Sequence, residues 1–383
     1  MDVYQRLARR LDEFPQGFPA TPSGVELRIL KKIFSPEDAQ LALRLKMVPE
    51  TASAIARRLG RPKEETQATL DRMAARGQIY SFCWRRVQRY MLAPFVVGIW
   101  EFQLPHMDAE LASLFEEYAP TLLATLGGTP PAIARVVPVQ KSLPSRAQVL
   151  RWENVAELIS RARSFRVMEC ICRKEQAALG RPCSHPLETC LAFSPEENAY
   201  DEFPSWGRSI TREEALAILA QAEQEGLVHC TYNLQRQNMF VCNCCSCCCG
   251  FLRSVREFSA PHLLTRSNYV AAVDRDRCAV CGYCIDSRCP MQAMVERDGV
   301  VHVLPERCIG CGVCAVDCPA DAVTLVPRAP TETSVPPRNL VSWSVSRAVH
   351  RFGPLRAAIQ FGGLALDAWR SRHVGGDDGS TPR

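Results

Sequence analysis

Two stretches decide how this chain is read: 278–290, CAVCGYCIDSRCP, and 308–319, CIGCGVCAVDCP. The first runs Cys278-x2-Cys281-x2-Cys284-x4-Cys289 and the second Cys308-x2-Cys311-x2-Cys314-x3-Cys318, and each closes on Cys-Pro. Three of the four cysteines recur after 30 residues and the fourth after 29, so 274–299 and 304–327 form an internal repeat. Gly282, Gly310 and Gly312 let the chain turn tightly between the thiols. Zinc also binds Cys-x2-Cys pairs. Eight cysteines in duplicated order, each run closing on Cys-Pro, point to iron–sulfur chemistry instead.

The second run matches the spacing of bacterial ferredoxins throughout, and the first departs from it by one residue. Segment 269–327 therefore resembles the 2×4Fe–4S ferredoxin family. The resemblance implies two 4Fe–4S clusters with crossed ligation. Cys318 would complete the cluster of Cys278, Cys281 and Cys284, and Cys289 that of Cys308, Cys311 and Cys314. The extra residue before Cys289 lengthens one loop and leaves the ligand set complete. Val301, Val303, Ala322, Val323 and Leu325 are expected to supply the packing strands.

The chain has 20 cysteines, and 11 of the other 12 lie within 170–249. They fall into Cys170, Cys172, Cys183 and Cys190, lone Cys230, and the run CNCCSCCCG, which holds Cys242, Cys244, Cys245, Cys247, Cys248 and Cys249. No zinc-finger, thioredoxin or haem spacing fits them. Thiolates packed so densely repel one another unless a metal neutralises them. A third metal site is expected from Cys170, Cys172, Cys183 and Cys190, with Cys242, Cys244 and Cys245 as rival or additional ligands. It would hold a third Fe–S cluster or zinc. Cys83 and Cys230 read as buried structural thiols. His185 lies between Cys183 and Cys190, but like His229 and His262 it reads first as a hydrogen-bonding residue. The arrangement is similar to multi-domain 4Fe–4S-binding proteins with a cysteine-rich segment ahead of a ferredoxin domain. Metal buffering by a thiolate array is a rival function.

Toward the start, Ser35 before Pro36, Thr51, and Gly60 mark helix ends. The segment 51–80, TASAIARRLGRPKEETQATLDRMAARGQIY, followed by predicted strands to Met91, resembles a winged helix-turn-helix. Helices are also predicted over 153–163 and from Thr211, whose spacing to Glu214 suits a capping box. The expected fold class is α+β. Residues 1–92 form a winged-helix-like domain and 93–150 a connecting region of short elements. Residues 151–268 form a cysteine-rich metal-binding domain and 269–327 the ferredoxin domain. Residues 328–383 supply a linker, an amphipathic stretch over 342–372 and a disordered tail.

Charge is uneven along the chain. Residues 1–90 carry 17 Lys/Arg against 10 Asp/Glu, a net +7, and 91–273 carry 16 against 19, a net −3. The basic front suits either redox partner proteins or DNA, through Arg57, Arg58, Arg61, Lys63, Arg72 and Arg76 with Arg85, Arg86 and Arg89 on the wing. A redox-sensing DNA-binding regulator is thus the alternative to an electron carrier. No P-loop, dinucleotide, nucleophile-elbow or His-Glu-x-x-His motif occurs, so an electron carrier or oxidoreductase subunit is favoured over a stand-alone enzyme. No run of 18 apolar residues predicts a membrane span, and the charged start lacks the apolar core of a signal peptide. The expected compartment is the cytoplasm, where thiols stay reduced. Leu355, Ile359, Phe361, Leu364, Leu366 and Trp369, with Arg356, Arg370 and Arg372, can cover a groove or touch a membrane surface.

Overall fold

The computed structural model describes residues 1–84, 87–143, 150–199, 206–257 and 262–373, with side chains at 84 and 364–373 outside the description. The chain divides into two units, Met1–Leu122 with the segment from Ser344 onward, and Leu123–Trp343. Both helix and strand contribute throughout, as the composition of motifs predicts.

The first unit begins with α1 (Val3–Asp12), α2 (Val25–Ile33), α3 (Pro36–Ala42), α4 (Ala52–Leu59) and α5 (Lys63–Ala75). The hairpin β1 (Tyr80–Trp84) and β2 (Val87–Met91) follows. The predicted ends form. Ser35 Oγ accepts the Asp38 N–H at 3.1 Å, Thr51 Oγ1 accepts the Ala54 N–H at 3.2 Å, and α4 stops at left-handed Gly60. Glu50 bridges Tyr90 of β2 through a pair of backbone bonds of 3.0 and 2.8 Å. Arg85 and Arg86 of the predicted wing lie outside the described residues.

The connecting region holds more order than the sequence suggests. After a single turn, α6 (Trp100–Phe102), one 19-residue helix, α7 (Ala109–Gly127), runs through Pro120. An internal proline costs about 3 kcal/mol. Burial of Leu111, Tyr118 and Leu122 on one face offsets that cost. Phe18, Phe95 and Tyr118 pack with centroids 4.7–6.0 Å apart at steep angles.

The second unit is built on a seven-stranded sheet. Its elements are β3 (Ala134–Val137), α8 (Val155–Ile159), β4 (Ser164–Glu169), α9 (Ile171–Ala178), β5 (Glu188–Ser194) and β6 (Arg208–Ile210). Then come α10 (Arg212–Gln224), β7 (Val228–Tyr232), β8 (Phe240–Cys244), α11 (Gly250–Glu257) and β9 (Leu264–Thr265). Strand order is β6-β4-β5-β8-β7-β3-β9, antiparallel except for β3 with β9. Thr211 caps α10 as predicted, whereas the helix predicted over 153–163 shrinks to α8, entered through Asn154 as its cap.

Strand alternation gives this sheet two unlike faces. Val137, Phe165, Val167, Leu191, Phe193 and Val241 point one way and pack on Val155, Ile159, Ala215 and Leu219 of α8 and α10. Ala134, Val136, Val228, Cys230 and Cys244 point the other way and pack with Cys249, Met291, Ile309, Cys311 and Val313. The ferredoxin segment lies against this second face. It contains β10 (Tyr269–Val273), the hairpin β11 (Met294–Arg297) and β12 (Val300–Val303), and β13 (Val323–Pro327), which pairs antiparallel with β10.

The amphipathic stretch near the end is two helices, α12 (Leu340–Phe352) and α13 (Pro354–His373), separated at Gly353 with φ +82°. Leu355 and Ile359 stay 76% and 69% exposed, while Ala357 is buried. Leu364, Leu366 and Trp369 have side chains outside the described residues, as do Arg370 and Arg372. No helix among the described residues is long and apolar enough to cross a membrane.

Candidate metal centres

The repeat folds around two cavities. One, with about 340 Å³ of empty space, is lined by Cys278, Cys281, Cys284 and Cys318 among small apolar residues. The other, with about 320 Å³, is lined by Cys289, Cys308, Cys311 and Cys314. The latter cavity thus meets three thiols from the second run and Cys289 from the first, and the former meets three thiols from the first run with Cys318 and Cys314 from the second. Cys314 lines both cavities. The cavities differ in depth. Cys308, Cys311 and Cys314 are buried, whereas Cys281 is exposed.

Local structure explains how the thiols reach their cavities. The loop 308–312 is held from outside by backbone bonds. Val139 N–H donates to Cys311 O at 2.9 Å, Ser267 N–H to Ile309 O at 3.1 Å, and Ser267 Oγ to Gly310 O at 2.6 Å. Arg328 donates to Cys308 O at 2.6 Å. Gly310 and Gly312 have φ +67° and +78°. A Cβ at Gly310 would lie 2.2 Å from Tyr269 O, so the turn closes only without a side chain there. The extra residue of the first run is taken up as a π-helical turn over Cys284–Arg288, with Cys289 N–H donating to Cys284 O at 3.1 Å. The corresponding second-run turn, Val313–Ala315, is a tighter 3-10 turn. Cys289 Sγ accepts the Ala293 N–H at 3.1 Å, a bond that would favour negative charge on that sulfur. Burial pushes the Cys284 thiol up to about 11 and raises Cys311 and Cys314 further. Metal binding at these sulfurs must therefore displace protons.

The second cysteine field separates into two groups. Continuing the β5–β8 register one residue past Leu191 and Val241 sets Cys190 opposite Cys242, and β7–β8 pairs Cys230 with Cys242. Cys244 follows two residues along the same face. Cys170 caps α9, with Cys172 in its first turn, and Cys249 immediately precedes α11. Positive helix ends thereby approach the thiols. The contacts close a ring. Cys170 faces Cys172 and Cys190, Cys190 faces Cys242, Cys242 faces Cys244, Cys244 faces Cys249, and Cys249 faces Cys172. Cys230 faces Cys244 from outside the ring and packs in the same core as Cys311.

Four other thiols meet beside the ring. Cys183, from the loop after α9, lies 3.8 Å from Cys245 and 3.5 Å from Cys247, and Cys248 lies 3.6 Å from Cys247. All four sulfurs fall within 4.8 Å of one another, and no other His/Cys/Asp/Glu group among the described residues is drawn in so closely. The Cys248 thiol, aided by Arg173, holds Cys245 down to about 4.

The seven expected ligands are therefore divided. Cys170, Cys172, Cys190, Cys242 and Cys244 join Cys249, while Cys183 and Cys245 join Cys247 and Cys248. Cys247, Cys248 and Cys249 are additions to the expected ligand set. The available signal was the alternation on β8, which ends at Cys244. His229 lies on the opposite face of the sheet, where Nδ1 meets Asn243 Oδ1 at 2.6 Å and Nε2 meets Glu223 Oε1 at 3.2 Å. It is a structural residue. His185 lies 3.8 Å from Glu225, and Cys83 is half-buried on β1.

Comparisons with known proteins concern the ferredoxin segment. A 4Fe-4S dicluster domain family matches residues 271–320. Electron transport protein HydN of Escherichia coli (strain K12) is 39% identical over 69 residues, covering 17% of this chain and 39% of HydN. A ferredoxin of Rickettsia felis is 42% identical over 53 residues, covering 13% of this chain and 48% of that protein. Indolepyruvate oxidoreductase subunit IorA of Methanothermobacter thermautotrophicus is 49% identical over 53 residues, covering 14% of this chain and 8% of the subunit. The chain thus spans less than half the length of each of these relatives, and no solved structure matches it. The C-terminal part of the second unit is a ferredoxin-type 4Fe-4S dicluster domain.

Proposed function

We propose that this protein carries single electrons through two 4Fe–4S clusters and a third, buried iron–sulfur centre, docked to a larger redox system. Cys278, Cys281, Cys284 and Cys318 hold the outer cluster, and Cys289, Cys308, Cys311 and Cys314 the inner one. The observation carrying this reading is the pair of cysteine-lined cavities, with Cys314 in the lining of both. A 4Fe–4S cluster supplies reversible one-electron chemistry without proton transfer. The residues around it fix position, exclude water and shape the local field.

The ring of Cys170, Cys172, Cys190, Cys242, Cys244 and Cys249 holds the third centre. Its sulfurs are spread too widely to enclose one ion, which favours a polynuclear cluster. Cys230 and Cys311 pack in the core between the ring and the inner ferredoxin cavity. Electrons then move along the series of ring, inner cluster and outer cluster, with the surface near exposed Cys281 as an exchange point. The basic helical front docks a protein partner. The helix-turn-helix α4–α5, with its hairpin and the Glu50–Tyr90 bridge, supports a second reading as a DNA-binding regulator that senses cluster state.

Anaerobic purification with iron and sulfide counting, and EPR of the reduced protein, tests the carrier reading. About twelve irons per chain are expected, and about eight would remove the third centre. Salt-sensitive retardation of random duplex would favour the regulator, and its absence would end that reading.

A further inference from the structure

We propose that Cys183, Cys245, Cys247 and Cys248 bind a single zinc-class ion in a tetrahedral tetrathiolate site, separate from every iron–sulfur centre in the chain. The site goes beyond the electron-carrier reading and stands independently of it.

The size of the quartet carries the argument. Zinc–thiolate bonds are about 2.3 Å, and a regular tetrahedron of that radius has sulfur–sulfur edges of about 3.8 Å. The three spacings here are 3.5, 3.6 and 3.8 Å. These sulfurs can enclose one ion and have no room for a cluster between them. The ferredoxin quartets provide the internal comparison. They line open cavities, and neither they nor the ring has its sulfurs within 4.8 Å of one another among the described residues. One chain thus contains two scales of thiolate site, and the scale separates the single-ion site from the clusters.

Charge and placement agree. Four thiolates on a divalent ion leave two negative charges, which need compensation where Cys245 and Cys248 are buried. Arg173 is 2% exposed and reaches the Cys245 sulfur. It is anchored by bonds of 2.7 Å to Thr189 Oγ1 and to Asn243 O. Cys247 is exposed, giving the ion a way in. The ligands join the loop after α9 to the turn after β8, and Cys172 of the ring packs against Cys245 and Cys248. The ion therefore clips two loops together beside the buried ring. Four protein thiolates leave no open coordination position, which makes the role structural.

The test uses the full chain purified without oxygen. Elemental analysis should find about one zinc per chain beside the iron. Zinc K-edge X-ray absorption, which is blind to iron, should find four sulfurs at about 2.3 Å. The Cys183→Ala/Cys247→Ala double variant should lose at least five-fold in zinc and keep its iron and its reduced EPR signal. Absence of zinc, nitrogen or oxygen ligands on it, or zinc retained by the double variant, would overturn the proposal. So would a mononuclear high-spin iron Mössbauer signal that the double variant abolishes. The wild-type absorption result decides the matter even if the variant fails to fold.

Discussion

Replacing Gly310 by alanine tests whether the loop around the inner ferredoxin cavity requires a missing side chain. Gly310 has φ +67°, and an added Cβ would meet Ser267 Oγ and Tyr269 O, each at 2.2 Å. The left-handed backbone alone costs a residue with a side chain roughly 1–2 kcal/mol. The overlap forces backbone to move, as overpacking does, for about another 1–3 kcal/mol. Gly299, in the β11–β12 turn at φ +71°, has nothing within 4 Å of its added Cβ. Gly299→Ala should therefore show only the first cost. Gly310→Ala should show both, and by shifting the loop of Cys308, Cys311 and Cys314 it should lose about four irons per chain. Denaturant unfolding and iron counting on the two variants together provide the assay. If Gly310→Ala retains its iron and is no less stable than Gly299→Ala, steric closure of the loop is refuted.

Cys311→Ser should remove or degrade the inner cluster, and an unchanged iron count and EPR spectrum would contradict its assignment as a ligand. Arg135 and Glu153 pair at 2.8 Å with both side chains fully buried. Glu153→Gln leaves the guanidinium buried without its counter-charge and should cost about 3–5 kcal/mol in denaturant unfolding, while removing the half-exposed Arg208–Glu214 pair should cost little. Burial pushes Glu101 up to about 7, against the Gly98 N–H bond that lowers it. The folded chain then holds a proton that the unfolded carboxyl gives up above its ordinary range, so stability falls as pH rises toward 7. Glu101→Gln should remove that slope between about pH 4.5 and 7, and parallel pH profiles of stability for the two proteins in that window would show the carboxyl to be already ionised.

The repeat was legible because its chemistry is local. Cys278 to Cys284 and Cys308 to Cys314 each lie within one turn of chain, so spacing alone reports which thiols can converge. Helix ends were legible for the same reason, since Ser35, Thr51 and Thr211 each bond to an N–H three residues on. The long helix through Pro120 was not legible. Its stability comes from the buried face of Leu111, Tyr118 and Leu122, which local propensity does not contain.

The cysteine field marks the boundary most sharply. By itself the sequence pointed to soft-metal chemistry there, because that many thiolates in so few residues repel one another without a cation. Only the tertiary structure divided them. Cys245 adjoins Cys244 in sequence, yet it turns away from the sheet to meet Cys183, 62 residues earlier. Cys190 reaches Cys242 only because β5 and β8 are neighbours in that register. Grouping thiols that are distant in the chain depends on which strands pair and which face each residue takes, and both are set by burial of the whole sheet rather than by any spacing within it.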